Sequence, residues 1–171
     1  MDTWDAYRSR RNIRHYEDRP IPADVLDRIV DAGRRAPSAF NSQPWDFVVV
    51  TGREPLTDLA TVWQGAGHVA RSAATIVVVT PEQADADRAR WAELDLGQAM
   101  MAMAIIAADQ GVGSAHAIIG DQARCRELLG IPTDHRCAYL LALGYPADGA
   151  LIPIEKLDRR PLDDVRHTQR W

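Results

Sequence analysis

The chain contains a single lysine, Lys156, among its 20 basic residues. Positive charge is therefore delivered almost wholly by arginine, whose planar fork grips carboxylate or phosphate where lysine offers a point charge. A general arginine bias accounts for the count equally well, and the Ala- and Asp-rich composition fits it. Net charge is -4, which argues against a nucleic-acid binder, a function that needs a basic surface. Cysteine is scarce as well. Cys125 and Cys137 form no CxxC pair, which excludes a disulfide scaffold and reads as two small buried residues in a reducing compartment. The longest apolar run, Ala99 to Ala108, falls short of the roughly 20 residues that cross a bilayer. The polar start, Met1 to Asp5, has no apolar targeting core. These absences predict a soluble cytoplasmic protein that binds neither nucleic acid nor membrane.

Familiar catalytic patterns are missing too. His15, His68, His116, His135 and His167 are scattered without metal-ligand spacing. There is no GxSxG elbow and no motif that would activate either cysteine. Gly111-Val112-Gly113-Ser114-Ala115-His116 puts histidine where a dinucleotide fingerprint needs its third glycine, and it follows a helix instead of a strand. An enzyme with this inventory leaves the difficult chemistry to a cofactor.

What is present fits one globular domain over residues 1–171, with 46% apolar and 26% charged residues. Helical periodicity covers Trp4 to Arg10, Ala23 to Arg35, Pro55 to Gln64 and Trp91 to Gln110. Gly65 to His68 is expected to break the third of these, and Pro81 to Arg90 to form a surface loop or weak helix. A further helix is capped by Asp121 and stopped by Gly130. Strand-like runs occupy Trp45 to Thr51, Ala74 to Thr80, a short stretch after Gly113, and Arg136 to Tyr145. The first is apolar enough to be central in a sheet. The long helix is apolar on nearly every side, so it is either a core helix or packs partly on a second subunit. Helices and strands alternate too irregularly for a doubly wound fold, which leaves α+β, a mixed central sheet wrapped by helices.

Two features carry chemistry. Pro37 and Pro44 stiffen a loop holding Ser38, Asn41, Ser42 and Gln43, neutral groups suited to a flat ligand with polar edges. Alone, such a stretch is an ordinary helix-to-strand connection. Arg8, Arg10, Arg11 and Arg14 cluster near the N-terminus, with Ile13 and Tyr16 to hold part of the cluster against the body. A second basic knot, Lys156 to Pro161, lies near the other end. Brought together, the two could neutralise a phosphate. A flat ring with a phosphate tail, such as FMN, fits this inventory.

The motifs in order resemble the nitroreductase family of FMN enzymes. They are Arg10-Arg11-Asn12-Ile13-Arg14 with Tyr16, Ala36 to Trp45 followed by Phe47 and Val49, Asp95-Leu96-Gly97 with Gly111 to Ser114, and Arg159-Arg160-Pro161-Leu162. The resemblance implies an intertwined homodimer with FMN at the interface. Arg10, Arg11 and Asn12 would hold the phosphate and ribityl chain, and Arg14 the pyrimidine edge, as the catalytic residue. Ser38, Ala39, Asn41 and Gln43 would come from the partner subunit. Ser114, Ala115, His116 and Ala117 would lie along the ring, with Arg159 and Arg160 completing the phosphate clamp. The implied reaction passes a hydride from NADH or NADPH through flavin N5 to a nitroaromatic, quinone or activated alkene, by ping-pong turnover. A non-catalytic flavin- or nucleotide-binding module is the alternative, as is a flavin enzyme of the same fold serving one dedicated pathway. The sequence departs from the resemblance at Asn12, where serine is usual. It departs again at Gly65 to His68, where larger members carry Asn and Lys against the ring, and in a shortened segment before the long helix.

Overall fold

The structure, a computed structural model, describes every residue except Leu157, the one member of the second basic knot that lies outside the described residues. The chain builds helix α1 (Thr3–Ser9), helix α2 (Ala23–Arg34), strand β1 (Asp46–Thr51), helix α3 (Arg53–Leu59) and strand β2 (Ala74–Pro81). Helix α4 (Ala86–Asp109), strand β3 (Gly113–Ile118), helix α5 (Gln122–Leu129) and strand β4 (His135–Gly144) follow.

The four strands form one sheet in the order β1-β2-β4-β3, and every neighbouring pair runs antiparallel. One parallel bridge, Asn12 to Ser114, is added at the β3 edge. Alternate β2 residues divide between two cores. Ile76 and Val78 pack with Ile29, Leu96 and Met103 on the α2/α4 side. Val77 and Val79 pack with Leu56, Leu59 and Cys125 on the α3/α5 side. Both faces of the sheet are thus covered by helices.

Strand β1 is an edge strand, not the central one its apolar run suggests. Helices cover edge strands as well as central ones, so residue pattern alone does not separate the two. The break expected at Gly65 sits instead at Trp63, whose extended backbone (φ -161°, ψ 140°) divides two 3-10 stretches, Ala60–Val62 and Gln64–Arg71. Asp121 and Gly130 do bound α5. The Asp121 carboxylate accepts the Arg124 N–H at 2.8 Å, and Gly130 is left-handed at φ 66°.

Helix α4 starts earlier than its apolar stretch, because the Asp85 carboxylate caps it by accepting the Arg88 N–H at 2.8 Å. One side, including Leu96, Ala99, Met103 and Ala107, is fully buried. Trp91, Leu94 and Met101 on the other side remain exposed in the single chain. Among the described residues no helix is long and apolar enough to cross a membrane.

Candidate functional site

The N-terminal arginine segment is docked on the sheet by close packing. Ile13 donates its N–H to the Ser114 carbonyl at 2.9 Å, and Glu17 donates to Tyr145 at 2.8 Å. The sheet makes room with glycine. A Cβ on Gly113 would stand 2.8 Å from Ile13, and one on Gly144 would stand 2.6 Å from the Tyr16 ring. The Tyr16 hydroxyl donates to the Ile13 carbonyl at 2.6 Å, and burial pushes its pKa up despite the charge of Arg14. Ile13 and Tyr16 therefore do hold the arginines on a fixed backbone.

This docking brings Arg10, Asn12, Ser114 and His116 to one cavity of about 260 Å3, floored by Met100, Met101 and Tyr139. The Nε of Arg10 is buried and has no hydrogen-bond partner. Nearby, His68 has a buried, unpartnered Nε2. Burial first, and the Arg14 charge second, hold its imidazole below the ordinary pKa; backbone groups of Ala115 and Gly65 act the other way. An orphaned donor on a residue that lines a cavity, as Arg10 does, is what a polar ligand would satisfy. Strand alternation puts Ser114 and His116 on one face of β3, and of the four residues Ser114 to Ala117 only His116 is exposed, Ser114 being covered where Asn12 bridges to it. Arg14 is exposed. Arg11 Nη1 donates to the carbonyl of Ser9 at the end of α1 at 3.1 Å and to that of Ile152 in the tail at 3.3 Å.

The Ser38 to Gln43 loop is held differently. Ser38 Oγ accepts the Gln43 N–H at 3.0 Å, and Asn41 donates its own N–H to the Ser38 carbonyl at 3.0 Å. Phe40, Asn41 and Gln43 take positive φ of 53°, 55° and 48°. Such conformations cost about 1–3 kcal/mol each for residues other than glycine, and they persist only where surrounding contacts impose them. One such contact is the Ala39 N–H, which donates to Asp95 Oδ2 at 3.0 Å. Asp95 is a buried carboxylate on α4, 2% exposed. The loop lines a second cavity, away from Arg10 and Asn12, together with Arg88 and Trp91. Within one chain the two predicted halves of the site do not meet.

Arg159 and Arg160 join neither cavity. Arg159 donates to the Asp158 carbonyl at 2.5 Å and Arg160 to the Asp164 carbonyl at 2.6 Å, both on the exposed tail. Neither guanidinium bonds an N-terminal residue among the described residues, although the tail before them meets that segment, where Ile154 donates its N–H to the Arg8 carbonyl at 3.1 Å.

Comparison with known proteins places this arrangement. The sequence profile of the nitroreductase family matches residues 7–64 and 52–145. The chain belongs to the nitroreductase family. It is 32% identical over 168 residues, 95% of each chain, to an Archaeoglobus fulgidus protein with the provisional name NADH dehydrogenase/NAD(P)H nitroreductase. A nitroreductase family protein from Clostridium novyi superposes with a TM-score of 0.80 at 30% identity, covering 86% of this chain and 87% of that one. An FMN-dependent nitroreductase from Clostridium difficile gives a TM-score of 0.84 over 97% and 98% of the two chains; at 23% identity this speaks for the shared fold.

Three participants escaped the sequence reading. Asp95 stood in a recognised family motif, but only the fold shows its carboxylate pinning the loop. Tyr139 lines the first cavity because strand alternation puts it on the same face of β4 as Leu141, just past a β-bulge. Val78 pairs with Tyr139 and Val79 with Cys137, so Ala138 is the extra residue. The Tyr139 hydroxyl donates to Glu93 Oε2 at 2.5 Å, and Arg136 bonds the other carboxylate oxygen. His68 carried no spacing signal, since its neighbours Arg14 and Ala115 are remote in sequence.

Proposed function

We propose that this member of the nitroreductase family is an FMN-dependent NAD(P)H oxidoreductase that works as a homodimer and reduces a small electron-poor acceptor. The observation that carries the proposal is the Arg10, Asn12, Ser114 and His116 cavity with its unpartnered Arg10 Nε. The residues fit the cofactor: a guanidinium suits a phosphate, Asn12 and Ser114 suit a polyol chain, and the β3 backbone gives a flat wall. Bound FMN would supply the hydride-accepting ring, which gains negative charge at its pyrimidine edge on reduction.

The chain's own groups then have distinct tasks. Arg10, with Arg11 and Asn12, binds the phosphate end. Arg14 holds a fixed positive charge for the pyrimidine edge, a preorganised stabilisation of developing charge. His68 stays neutral beside it, so it presents a neutral imidazole nitrogen to a bound ring. Ser38, Ala39, Asn41 and Gln43 reach the ring of the partner subunit, and the open side of α4 gives the dimer its contact. Arg159 and Arg160 close the phosphate end in the dimer. NADH or NADPH and the acceptor use one open face in turn, which is ping-pong logic.

The protein as purified should be yellow or take up FMN, and anaerobic NADH or NADPH should bleach it. A colourless protein that binds no FMN would end the proposal. Arg14→Ala should slow bleaching more than it weakens FMN binding, because the charge it faces grows only on reduction. Equal losses in stopped-flow and titration would contradict that role. A second reading, a flavin-binding module without turnover, draws on the short connection before α4, where only Glu82, Gln83 and Ala84 separate β2 from the Asp85 cap. Steady NAD(P)H oxidation with a nitroaromatic would exclude it.

A further inference from the structure

The 3-10 stretch Gln64–Arg71 carries His68 to β3 and is fixed at both ends. Trp63 anchors its start. A Cβ on Gly65 would stand 2.1 Å from the indole ring and one on Gly120 3.0 Å, so the ring fills space that only glycines leave. The Val62 carbonyl accepts the N–H groups of Gly120 at 3.1 Å and Asp121 at 2.8 Å. At the far end Ser72 Oγ donates to the Val69 carbonyl at 2.8 Å, and Arg53 donates to the Ala70 carbonyl. Ala66 and Val69 are fully buried beneath. His68 therefore stands on a rigid backbone.

Its surroundings are unusual for a histidine. His15 lies 3.5 Å from Asp148 and His135 2.8 Å from Asp134, whereas His68 has no carboxylate partner among the described residues. The charged or titratable groups that bear on it are Arg14, from the N-terminal segment, and His116, from β3. Helix α3 packs on the same stretch, but its Arg53 is turned to Ala70 and Asp18, and its Glu54 and Asp58 are exposed. The turn Ala60–Val62 carries no charge. The Nε2 is buried and unpartnered. An imidazole so placed stays neutral while Arg14 is the charge beside it, and gains a proton once a negative charge arrives next to Arg14.

We propose that His68 is a proton store for turnover: it takes one proton from water when the bound ring is reduced and gives it up when the acceptor is reduced. The inference rests on the flavin reading above, in which Arg14 faces the pyrimidine edge. A hydride brings two electrons and one proton from the nicotinamide and leaves one negative charge at that edge. The proton on His68 balances this charge, so the reductive half consumes NAD(P)H and one proton and releases NAD(P)+. In the oxidative half the hydride passes to the acceptor and His68 releases its proton. The acceptor thus gains two electrons and two protons, and the site returns to its starting charge. Arg14 is the fixed charge of the pair and His68 the one that switches.

The test counts protons in the full FMN-loaded protein, by equilibrium reduction against a reference dye between about pH 6 and pH 8, where a histidine switches. Each proton taken up shifts the equilibrium about tenfold per pH unit. Wild type should therefore shift about a hundredfold per unit, the hydride proton plus the one on His68, and His68→Gln about tenfold. Histidine NMR on wild type needs no variant to fold. The His68 resonance should titrate below about pH 6.5 with oxidised FMN and above it after dithionite, and dithionite should leave it unmoved in protein stripped of FMN. A resonance that does not move on reduction, a tenfold dependence in wild type, or a hundredfold dependence that survives in His68→Gln would overturn the proton store while the flavin reading stands. Protein that takes up no FMN would overturn the flavin reading and the proton store with it.

Discussion

Arg10 to Tyr16 and Ser38 to Gln43 are both short polar stretches outside the α-helices and named strands, and the fold treats them oppositely. The first is drawn onto the sheet, with Ile13 and Tyr16 seated over Gly113 and Gly144. Its cavity is completed by β3 and α4 of the same chain. The second is turned outward, with three positive φ values, and pinned from below by Asp95. Its cavity is separate. A segment that finishes a site within its own chain can relax onto its neighbours. On the proposed function the second serves a ligand held by the partner subunit, a task that calls for a stiff, exposed segment, and strain fixed by a buried carboxylate supplies it.

The comparison can be broken from either side. The largest effect should come from Gly144→Val, which drives a side chain into the Tyr16 ring; overpacking of this kind costs about 3 kcal/mol. FMN affinity should fall with the melting temperature while hydrogen exchange in the Ser38 to Gln43 loop stays as it was. Asp95→Ala should come next. It strips the buried acceptor from the Ala39 N–H, at a cost of about 1–3 kcal/mol. Here the loop should exchange faster while the Arg10 segment keeps its protection, and Asp95→Asn should restore most of the loss. Phe40→Gly should act in the opposite direction, relieving the left-handed strain and raising stability by about 1 kcal/mol in a denaturant titration. If stability falls instead, the strained reading of the loop is wrong.

The smallest effect is the pH response of His68. Burial, then the Arg14 charge, holds the folded-state pKa below the unfolded value of about 6.5. The folded protein therefore binds this proton less readily than the unfolded chain. The His68 contribution is fully present above about pH 6.5 and is lost as pH falls from there toward the lowered folded-state value. His68→Gln should shrink the drop in melting temperature between about pH 7.5 and pH 5, a difference read directly by thermal scans.

Much of the fold was legible because it rests on local signals. Periodicity marked α2 and the long helix, Asp121 and Gly130 bounded α5, and apolar runs marked the strands. Edge against centre was not legible for β1, since it depends on which strand pairs with which. The site was legible as types of residue. Arg10, Asn12 and Ser114 were named from motifs and do meet, whereas Arg159 and Arg160 were named on the same grounds and stay on the tail. Tyr139 was invisible because its place at the cavity depends on how β4 packs beside β3 and α4, which no local pattern records.

By itself the sequence determined the element types, the arginine-for-lysine character of the positive charge, and the stiff loop bounded by Pro37 and Pro44. Those follow from local backbone preferences and side-chain chemistry. Only the tertiary structure decided that the loop and the N-terminal arginines face different cavities, that Asp95 holds the one and glycines seat the other, and that Phe40 meets Trp91. Each of these joins residues far apart in the chain, and their distances are set by packing across the sheet, which no local pattern records.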